Sequence, residues 1–256
     1  MNPSWLVPEW PAPTTVRALS TCRREGASAP PYASLNLGAH VGDAPATVAE
    51  NRRRLAAAAG LPAEPHWLAQ VHGTRVTDLD ANGASGPADA AFTRQPGRVC
   101  AILTADCLPI LFAADSGDLV AAAHAGWRGL AAGIIEATVG ALAVPPARLL
   151  AWLGPAIGPR HFEVGEEVRA ALLERDPDAQ AAFAPNARGR FMADLERLAR
   201  RRLTGAGIER IYGGGQCTFA DEDRYFSHRR DGITGRQATL VWLQRAGGSG
   251  KAAQGG

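Results

Sequence analysis

The chain has 256 residues, of which 46% are hydrophobic and 20% are charged, and its formal net charge at neutral pH is +2. This length and composition are those of a globular protein that buries a sizeable core. The small net charge gives no electrostatic reason to bind nucleic acid or a membrane surface, so we expect neither as a partner.

The first residues, MNPSWLVPEWPAPT, lack the basic and apolar regions of a secretory leader. No stretch approaches the roughly 20 apolar residues that cross a membrane. The four cysteines, Cys22, Cys100, Cys107 and Cys217, are widely spaced and form no CxxC pair. In a chain of ordinary size without a leader, such cysteines are expected to be reduced. These observations predict a cytoplasmic protein.

The first predicted elements are an arm, a strand and a helix. Residues 1–15 are rich in proline and predict an extended arm, and Val16–Arg23 has the character of a strand. Asp43 and Pro45 predict the first turn of a helix, with the Asp43 carboxylate as its cap, and Gly60 predicts its end.

Two further strands are predicted before residue 105. His66–Gly73 has the pattern of a strand that ends on His72, and Val99–Thr104 is a short apolar run. Between them, Asp78–Ala88 is a polar loop that leads to Asp89.

The next segment predicts a β-hairpin. Leu108–Ala114 and Leu119–Ala123 are apolar runs, and Asp115–Asp118 between them is a turn of the kind that joins antiparallel strands. Cys107 directly precedes the first run and His124 directly follows the second. If the runs pair about the turn, these two side chains lie at the same end of the hairpin.

The second half of the chain alternates between helices and strands. Helical or strand patterns cover Gly129–Ala143 (helix, ended by Pro145 and Pro146), Leu149–Leu153 (strand), Val164–Arg175 (helix), Met192–Thr204 (helix), Ile208–Tyr212 (strand) and Thr239–Leu243 (strand). No linker divides the chain, so we predict a single α+β domain over residues 1–246. Residues 247–256 are rich in glycine and predict a disordered tail.

Three residues at the ends of predicted strands have the chemistry of a metal site. His72, Cys107 and His124 would provide three protein ligands and leave one position open, as in catalytic zinc sites. Copper could take the place of zinc, because it binds most such ligand sets more tightly. The alternative, given equal weight, is that Cys107 is an ordinary buried thiol and the histidines are hydrogen-bonded core residues.

Short motifs along most of the chain resemble those of one family. The motifs are Gln70–Gly73 (QVHG), Thr104–Pro109 (TADCLP), Ala123–Gly129 (AHAGWRG), Ser34–Gly38 (SLNLG), Glu50–Arg52 (ENR), Leu153–Gly158 (LGPAIG), Phe162–Gly165 (FEVG) and Phe226–Asp231 (FSHRRD). They resemble the YfiH family, also called the laccase-domain, polyphenol oxidase or peptidoglycan-editing-factor family. At His228 the last motif departs from the tyrosine usual in the family, so we assign this side chain no role.

The resemblance implies a fold and a set of site residues. The fold would be an α/β sandwich with central mixed sheets flanked by helices, and the metal ligands would be His72, Cys107 and His124. The resemblance also implies that Asn51 and Arg52 face the site. The residues expected to bind substrate are Asn36, Arg52, Gln70 and Arg128. For Arg52 the alternative is an exposed helical face beside two further arginines.

The resemblance also implies a reaction, the phosphorolysis of purine nucleosides. Adenosine, inosine or methylthioadenosine would react with phosphate to give a free base and ribose 1-phosphate, and adenosine would also be deaminated. Arg52, Arg128 and the backbone amides of residues 126–129 could hold the phosphate. The glycines of that turn are equally well explained by the need for small residues.

Zinc lowers the pKa of a bound water to about 7, which suits hydrolytic deamination. Zinc deaminases of the nucleic-acid-editing type move protons with the glutamate of an H-x-E motif. Neither candidate ligand histidine begins such a motif, because Gly73 and Thr74 follow His72, and Ala125 and Gly126 follow His124. Asp106 and Asp89 are the candidates for a carboxylate that moves protons. Both could equally orient a ligand histidine instead.

Three other functions remain as alternatives. One is a metal-free cysteine hydrolase, with Cys107 as nucleophile and His124 or His72 as base. Another, from bacterial relatives, is removal of a misincorporated serine from a peptidoglycan precursor, which needs an open groove rather than a compact cavity. A copper polyphenol oxidase is disfavoured, because a multicopper centre needs many paired histidines and the chain has six histidines and no H-x-H motif.

Overall fold

The computed structural model describes residues 5–81 and 86–244. Thirteen strands and six helices lie in these ranges. The strands are β1 (Val16–Ser20), β2 (His66–Trp67), β3 (Val76–Asp78), β4 (Ala90–Thr93), β5 (Val99–Thr104), β6 (Leu108–Ala114), β7 (Val120–Ala125), β8 (Leu149–Leu153), β9 (Glu163–Val164), β10 (Phe183–Pro185), β11 (Phe191–Ala193), β12 (Arg210–Gly213) and β13 (Gln237–Leu243). The helices are α1 (Pro45–Ala59), α2 (Trp127–Ala132), α3 (Ile134–Leu142), α4 (Glu166–Arg175), α5 (Leu195–Gly205) and α6 (His228–Asp231).

The strands form two large sheets and one small sheet. The six-stranded sheet has the order β12-β8-β6-β7-β4-β3, and the four-stranded sheet has the order β1-β13-β5-β2. A small sheet has the order β10-β11-β9. Both large sheets are mixed, because β12 with β8, β3 with β4, and β2 with β5 are parallel while the other pairs are antiparallel.

The two large sheets pack face to face and each carries helices on its outer face. Alternate residues of β6 show the arrangement: Ile110 and Phe112 belong to the core shared with α2 to α5, whereas Leu111 contacts the other sheet. On the far side, Leu55 of α1 packs with Leu240 of β13. Because both faces of these central strands are buried, they read as continuous apolar runs. The predicted sandwich of mixed sheets flanked by helices is confirmed.

The predicted hairpin is present, with β6 and β7 paired antiparallel. The strands Val99–Thr104 and Leu149–Leu153 also have the bounds that the sequence predicts. Towards the ends of the chain the bounds shift, since β1 ends at Ser20 and β13 already begins at Gln237.

The predicted strand His66–Gly73 is wrong beyond Trp67, where β2 ends. Beyond Trp67, the Gln70 side chain takes the place of backbone pairing with β5. Its Nε2 donates to Leu103 O at 2.9 Å, and Leu103 N donates to its Oε1 at 2.8 Å. The backbone after Trp67 is therefore free to turn.

The predicted helix Gly129–Ala143 is wrong as a single element. It is two helices, α2 and α3, and Gly133 between them has a φ of 100°. This left-handed conformation interrupts a helix and is accessible to glycine at little cost. Gly133 N also closes α2 by donating to Gly129 O and Leu130 O.

Other helix ends differ from the prediction for reasons of capping. The cap of α1 is Ala44 rather than Asp43, whose carboxylate accepts hydrogen bonds from Ser28 Oγ and Asn36 Nδ2 instead. In the C-terminal half, Met192 belongs to β11, and α5 starts only after Asp194, whose carboxylate accepts from Arg197 N.

The predicted domain boundary at residue 246 and the tail 247–256 lie outside the described residues. None of the four cysteines forms a disulfide. Within the described ranges, no helix has the length and apolarity that crossing a bilayer requires.

Asn51 of α1 is fully buried and fixes the loop before the helix. Its Oδ1 accepts from Ala27 N at 2.7 Å, and its Nδ2 donates to Ser28 Oγ, Ser34 O and Asn36 O. Asn51 therefore connects α1 to the segment 27–36 rather than facing a ligand.

We expect Asn51→Ala to lower the free energy of unfolding by about 2–4 kcal/mol, because several buried polar groups lose their partner at once. Urea unfolding followed by circular dichroism measures the change. Arg53→Ala on the exposed face of the same helix is the control, and its midpoint should stay that of the wild type. Equal midpoints for all three proteins would contradict this role of Asn51.

Candidate functional site

The hairpin brings Cys107 and His124 together. In the β6–β7 ladder, Leu108 pairs with Ala125 and Pro109 pairs with His124. Cys107 directly precedes β6, so its side chain lies beside the end of β7. This is the arrangement that the two apolar runs and their turn predict.

His72 reaches the same place on a loop that one carboxylate holds. The Asp89 carboxylate accepts hydrogen bonds from three consecutive backbone groups, Val71 N, His72 N and Gly73 N, at 3.2, 2.9 and 2.7 Å. His72 itself has a φ of 60°, a conformation uncommon for a residue with a side chain. The loop around His72 is therefore held in a strained shape by a buried anion.

The geometry of the three side chains fits a single metal ion. Their ligand atoms lie within 4.8 Å of one another, and His72 Nε2 is 3.7 Å from Cys107 Sγ. Around a tetrahedral zinc ion, neighbouring nitrogen and sulfur ligands are ~3.3–3.6 Å apart. A small contraction of the cluster would suffice to bind zinc, and the same two imidazoles and thiolate are also ligands for copper.

The Asp89 carboxylate also orients the buried His124. Asp89 Oδ1 lies 2.8 Å from His124 Nδ1, which leaves Nε2 to face the cluster. Metal-binding histidines commonly have such a carboxylate partner on the other ring nitrogen. Burial raises the pKa of Asp89, but its hydrogen bonds to His124 and to the backbone outweigh burial and lower it.

In the metal-free cluster, Cys107 and His124 form an ion pair. Burial raises the pKa of the Cys107 thiol, but the charge of His124 and hydrogen bonds from both histidines outweigh it and lower this pKa to about 6. Burial lowers the pKa of His124, yet the Cys107 thiolate and Asp89 raise it to about 9. A thiolate and an imidazolium therefore coexist at neutral pH.

Gly126 forms the back of the cluster. A Cβ atom at this position would lie 2.8 Å from Cys107 Sγ and 3.1 Å from His72 Cδ2. Both distances are shorter than ordinary contacts, so the cluster requires glycine here.

The cluster lies in a cavity of about 300 Å³. The predicted residues that line it are Gln70, His72, Cys107, His124 and Arg128. The other lining residues are His40, Leu103, Thr104, Ala105, His228 and Arg236. The volume is at the lower end of small-molecule sites.

Two residues expected to bind substrate do not line this cavity. Asn36 is fully buried, and its side chain bonds to Gly38, Asp43 and the backbone N of Arg236. Arg52 donates to Leu37 O and stacks over Trp67 at 4.2 Å from the ring centroid. Asn36 thereby supports Arg236 in the wall of the cavity, whereas Arg52 contacts residues that do not line it.

Neither of the predicted proton-transferring carboxylates lines the cavity. Asp89 is committed to the backbone of the His72 loop and to His124, as described above. Asp106 accepts from Thr218 Oγ1 at 2.7 Å and from Arg229 N at 2.7 Å. Both carboxylates are placed to position other groups.

The sequence interpretation missed His40 and Arg236. The signal for Arg236 lies in the sheet register, because Gln237 pairs with Thr104 and so places its neighbour beside the motif that contains Cys107. That register requires β13 to lie next to β5, which the sequence pattern does not specify. His40 follows the Ser34–Gly38 motif and has no periodic pattern that would single it out.

Comparison with known proteins identifies the family. A family described as multi-copper polyphenol oxidoreductase laccase matches residues 17–244. A Pseudomonas aeruginosa protein named purine nucleoside phosphorylase is 57% identical over 94% of this chain and 99% of its own length. The Escherichia coli K12 protein named purine nucleoside phosphorylase YfiH is 54% identical over 93% of this chain and 98% of its own.

Solved structures agree with this assignment. A Neisseria meningitidis crystal structure has a TM-score of 0.90 and 46% identity, and the match covers 96% of this chain and 100% of that one. YlmD from Geobacillus stearothermophilus has a TM-score of 0.89 and 34% identity, covering 94% and 96%. The resemblance drawn from the sequence motifs is confirmed, and the chain belongs to the laccase-domain family that includes the YfiH proteins.

Proposed function

We propose that this protein is a zinc-dependent purine nucleoside phosphorylase that acts on adenosine, inosine and methylthioadenosine, and that it also deaminates adenosine. The observation that carries the proposal is the cluster of His72, Cys107 and His124 inside a compact cavity. Relatives at 57% and 54% identity are named purine nucleoside phosphorylases, which supports a small-molecule substrate of this class.

Phosphorolysis exchanges one bond at the sugar. A phosphate oxygen bonds to ribose C1′ while the bond from C1′ to the purine N9 breaks, and the bonding electron pair leaves with the base. The proton of hydrogen phosphate passes to the departing base, so the products are a neutral purine and ribose 1-phosphate. The protein has to hold a nucleoside and phosphate together and keep water out.

The residues of the chain divide this work. When bound, zinc supplies a Lewis acid beside the substrate. His72, Cys107 and His124 would hold the ion, and Asp89 keeps His124 and the His72 loop in place. Gln70 closes one wall by bonding to the backbone of β5.

Deamination needs a group that moves a proton from water to the leaving ammonia. No residue lining the described cavity carries a carboxylate. Burial lowers the pKa of His40, and the neighbouring Arg236 and Arg52 lower it further, so this imidazole is neutral at pH 7 and able to accept a proton. We assign the transfer to His40 rather than to Asp89 or Asp106.

The size of the cavity bears on the peptidoglycan alternative. A nucleotide-linked peptide precursor needs an open groove, whereas about 300 Å³ suits a single nucleoside. The geometry therefore favours the nucleoside.

A cysteine hydrolase is the second candidate, because Asp89, His124 and Cys107 form a relay like that of a catalytic triad. The Asp89 carboxylate orients the imidazole, and the imidazolium stabilises the thiolate. Metal content and the reactivity of Cys107 distinguish the two candidates.

Cys107→Ala should reduce metal content from one zinc ion per chain to nearly none and lower nucleoside phosphorolysis by more than about 100-fold. Loss of a residue that only hydrogen-bonds to a metal ligand already costs about 10–100-fold in metal affinity or activity, and loss of a ligand should cost more. Mass spectrometry of the metal and release of hypoxanthine from inosine measure the two effects. Cys217→Ala is the control, because that free cysteine lies outside the cavity. Full phosphorolysis by metal-retaining Cys107→Ala protein would refute the proposal.

Asp89→Asn should weaken zinc binding by about 10–100-fold, because the anion that orients His124 and holds the His72 loop becomes neutral. Competition with a chelator of known affinity measures the zinc dissociation constant, and circular dichroism verifies that the variant is folded. Unchanged zinc affinity in the folded variant would show that Asp89 does not position the ligands.

Alkylation of Cys107 in chelator-treated protein should follow a titration near pH 6 rather than near pH 9. The thiolate is the reactive form, so a lowered pKa makes the rate rise through about pH 6 and level off above it. Iodoacetamide labelling with peptide mass spectrometry follows each cysteine separately, with Cys217 as the internal control. Bound zinc should suppress the labelling of Cys107. If the protein is purified without zinc, added zinc does not protect Cys107 from labelling and the enzyme is still active, it would instead be the cysteine hydrolase.

A further inference from the structure

One wall of the cavity carries a partly buried positive charge with no carboxylate opposite it. Arg236 lines the cavity, and its Nη1 donates to Thr234 O and Gly235 O at 3.0 and 2.9 Å. Among residues 5–81 and 86–244, no acidic side chain forms an ion pair with it. Cys107 and Asp106 act on the guanidinium only through their charge; Cys107 would be engaged by a bound metal, and Asp106 already bonds to Thr218 and Arg229.

The shape of the neighbouring loop keeps Arg236 in the wall. Asn36 Oδ1 accepts from Arg236 N at 2.9 Å, which fixes the backbone. A Cβ atom at Gly38 would lie 2.8 Å from Arg236 Cγ, so this glycine allows the arginine stem to lie flat against the loop. The side chain is therefore held in place by packing and by its own backbone contacts.

A buried hydroxyl without a partner lies in the same wall. Thr104 is 1% exposed and lines the cavity, and its Oγ1 has no hydrogen-bond partner within the described part of the chain. Buried polar atoms are almost always bonded in proteins, and a rotation about the Cα–Cβ bond would turn this unbonded hydroxyl towards a ligand in the cavity. Thr104 pairs with Gln237 in the β5–β13 register, and Arg236 directly precedes Gln237, so both residues lie where this end of the strand pair borders the cavity.

A second guanidinium lies at the exposed side of the cavity. Arg128 stacks over Trp127, 4.4 Å from the ring centroid, and lines the cavity as well. Throughout the ranges that the structure describes, it forms no ion pair with a carboxylate. Its cation and that of Arg236 thus share one cavity, which contains no carboxylate and whose anionic group is the Cys107 thiolate of the cluster.

We propose that Arg236, Thr104 and Arg128 form an oxyanion subsite beside the metal cluster, and that its ligand is inorganic phosphate. Arginine binds phosphate oxygens with two parallel hydrogen bonds, and a hydroxyl can donate a third. The choice of phosphate rests on the proposed phosphorolysis, whereas the anion subsite itself rests on the contacts above. Arg236 thus has the phosphate-binding role that the sequence motifs suggested for Arg52.

The test measures binding of inorganic phosphate by calorimetry to the zinc-loaded protein, alongside the KM for phosphate with inosine. Arg236→Gln should raise both constants about 10- to 100-fold, as for loss of hydrogen bonds to a charged group. Thr104→Val should raise them about 5- to 10-fold and leave the melting temperature equal or higher, because the lost hydroxyl has no partner in the protein. Arg188→Gln, at an exposed arginine bonded to Glu163, is the matched control.

Thr104→Val separates a binding role from a structural one. Weaker phosphate binding at undiminished melting temperature supports the subsite, whereas a lower melting temperature with unchanged phosphate binding refutes it. Wild-type phosphate binding by both variants also refutes it, even if the enzyme performs phosphorolysis. If the wild type binds phosphate through these residues but does not cleave inosine, the subsite stands and the proposed reaction fails.

Discussion

The Asp89 carboxylate is the constraint on which the site depends. One fully buried side chain binds three successive backbone groups of the His72 loop and also the Nδ1 of His124. Its own backbone carbonyl accepts from His124 N at 2.7 Å. A loop residue in a left-handed conformation and a strand residue on another element are thus fixed relative to each other by a single anion. The third cluster residue, Cys107, is fixed by the hairpin, so the cluster combines ordinary strand pairing with one buried charge.

The parts of the fold that local pattern specifies could be predicted from the sequence. Two apolar runs about a polar turn gave the β6–β7 hairpin and the meeting of Cys107 with His124, and the apolar runs gave β5 and β8. Non-local contacts could not be predicted. After β2 ends, for example, hydrogen bonds between the Gln70 side chain and the backbone of Leu103 take the place of strand pairing. Nor does helical periodicity reveal that Gly133 adopts a positive φ and divides one helix into two. Asn36 and Arg52 lie in family motifs, yet Asn36 bonds to the backbone behind the wall and Arg52 contacts Leu37 and Trp67, so neither lines the cavity.

The family's description and the relatives' names point to different chemistries, copper oxidation and phosphorolysis. Within residues 5–81 and 86–244, one group of three side chains could hold a metal ion. A multicopper centre needs several such groups. This one group, like the small number of histidines in the sequence, is too few for such a centre. A single ion beside a compact, carboxylate-free and positively charged cavity is instead suited to an anionic co-substrate.

The position of β13 in its sheet has a consequence for the order of synthesis. His72, Cys107 and His124 all emerge within the first half of the chain, but β13 lies between β1 and β5, and Arg236 directly precedes it. On the ribosome, the nascent chain presents the cluster residues long before β13, which joins β1 to β5 in the facing four-stranded sheet, is made. The cluster residues and Arg236 in the cavity wall are thus separated by the time needed to translate more than a hundred residues.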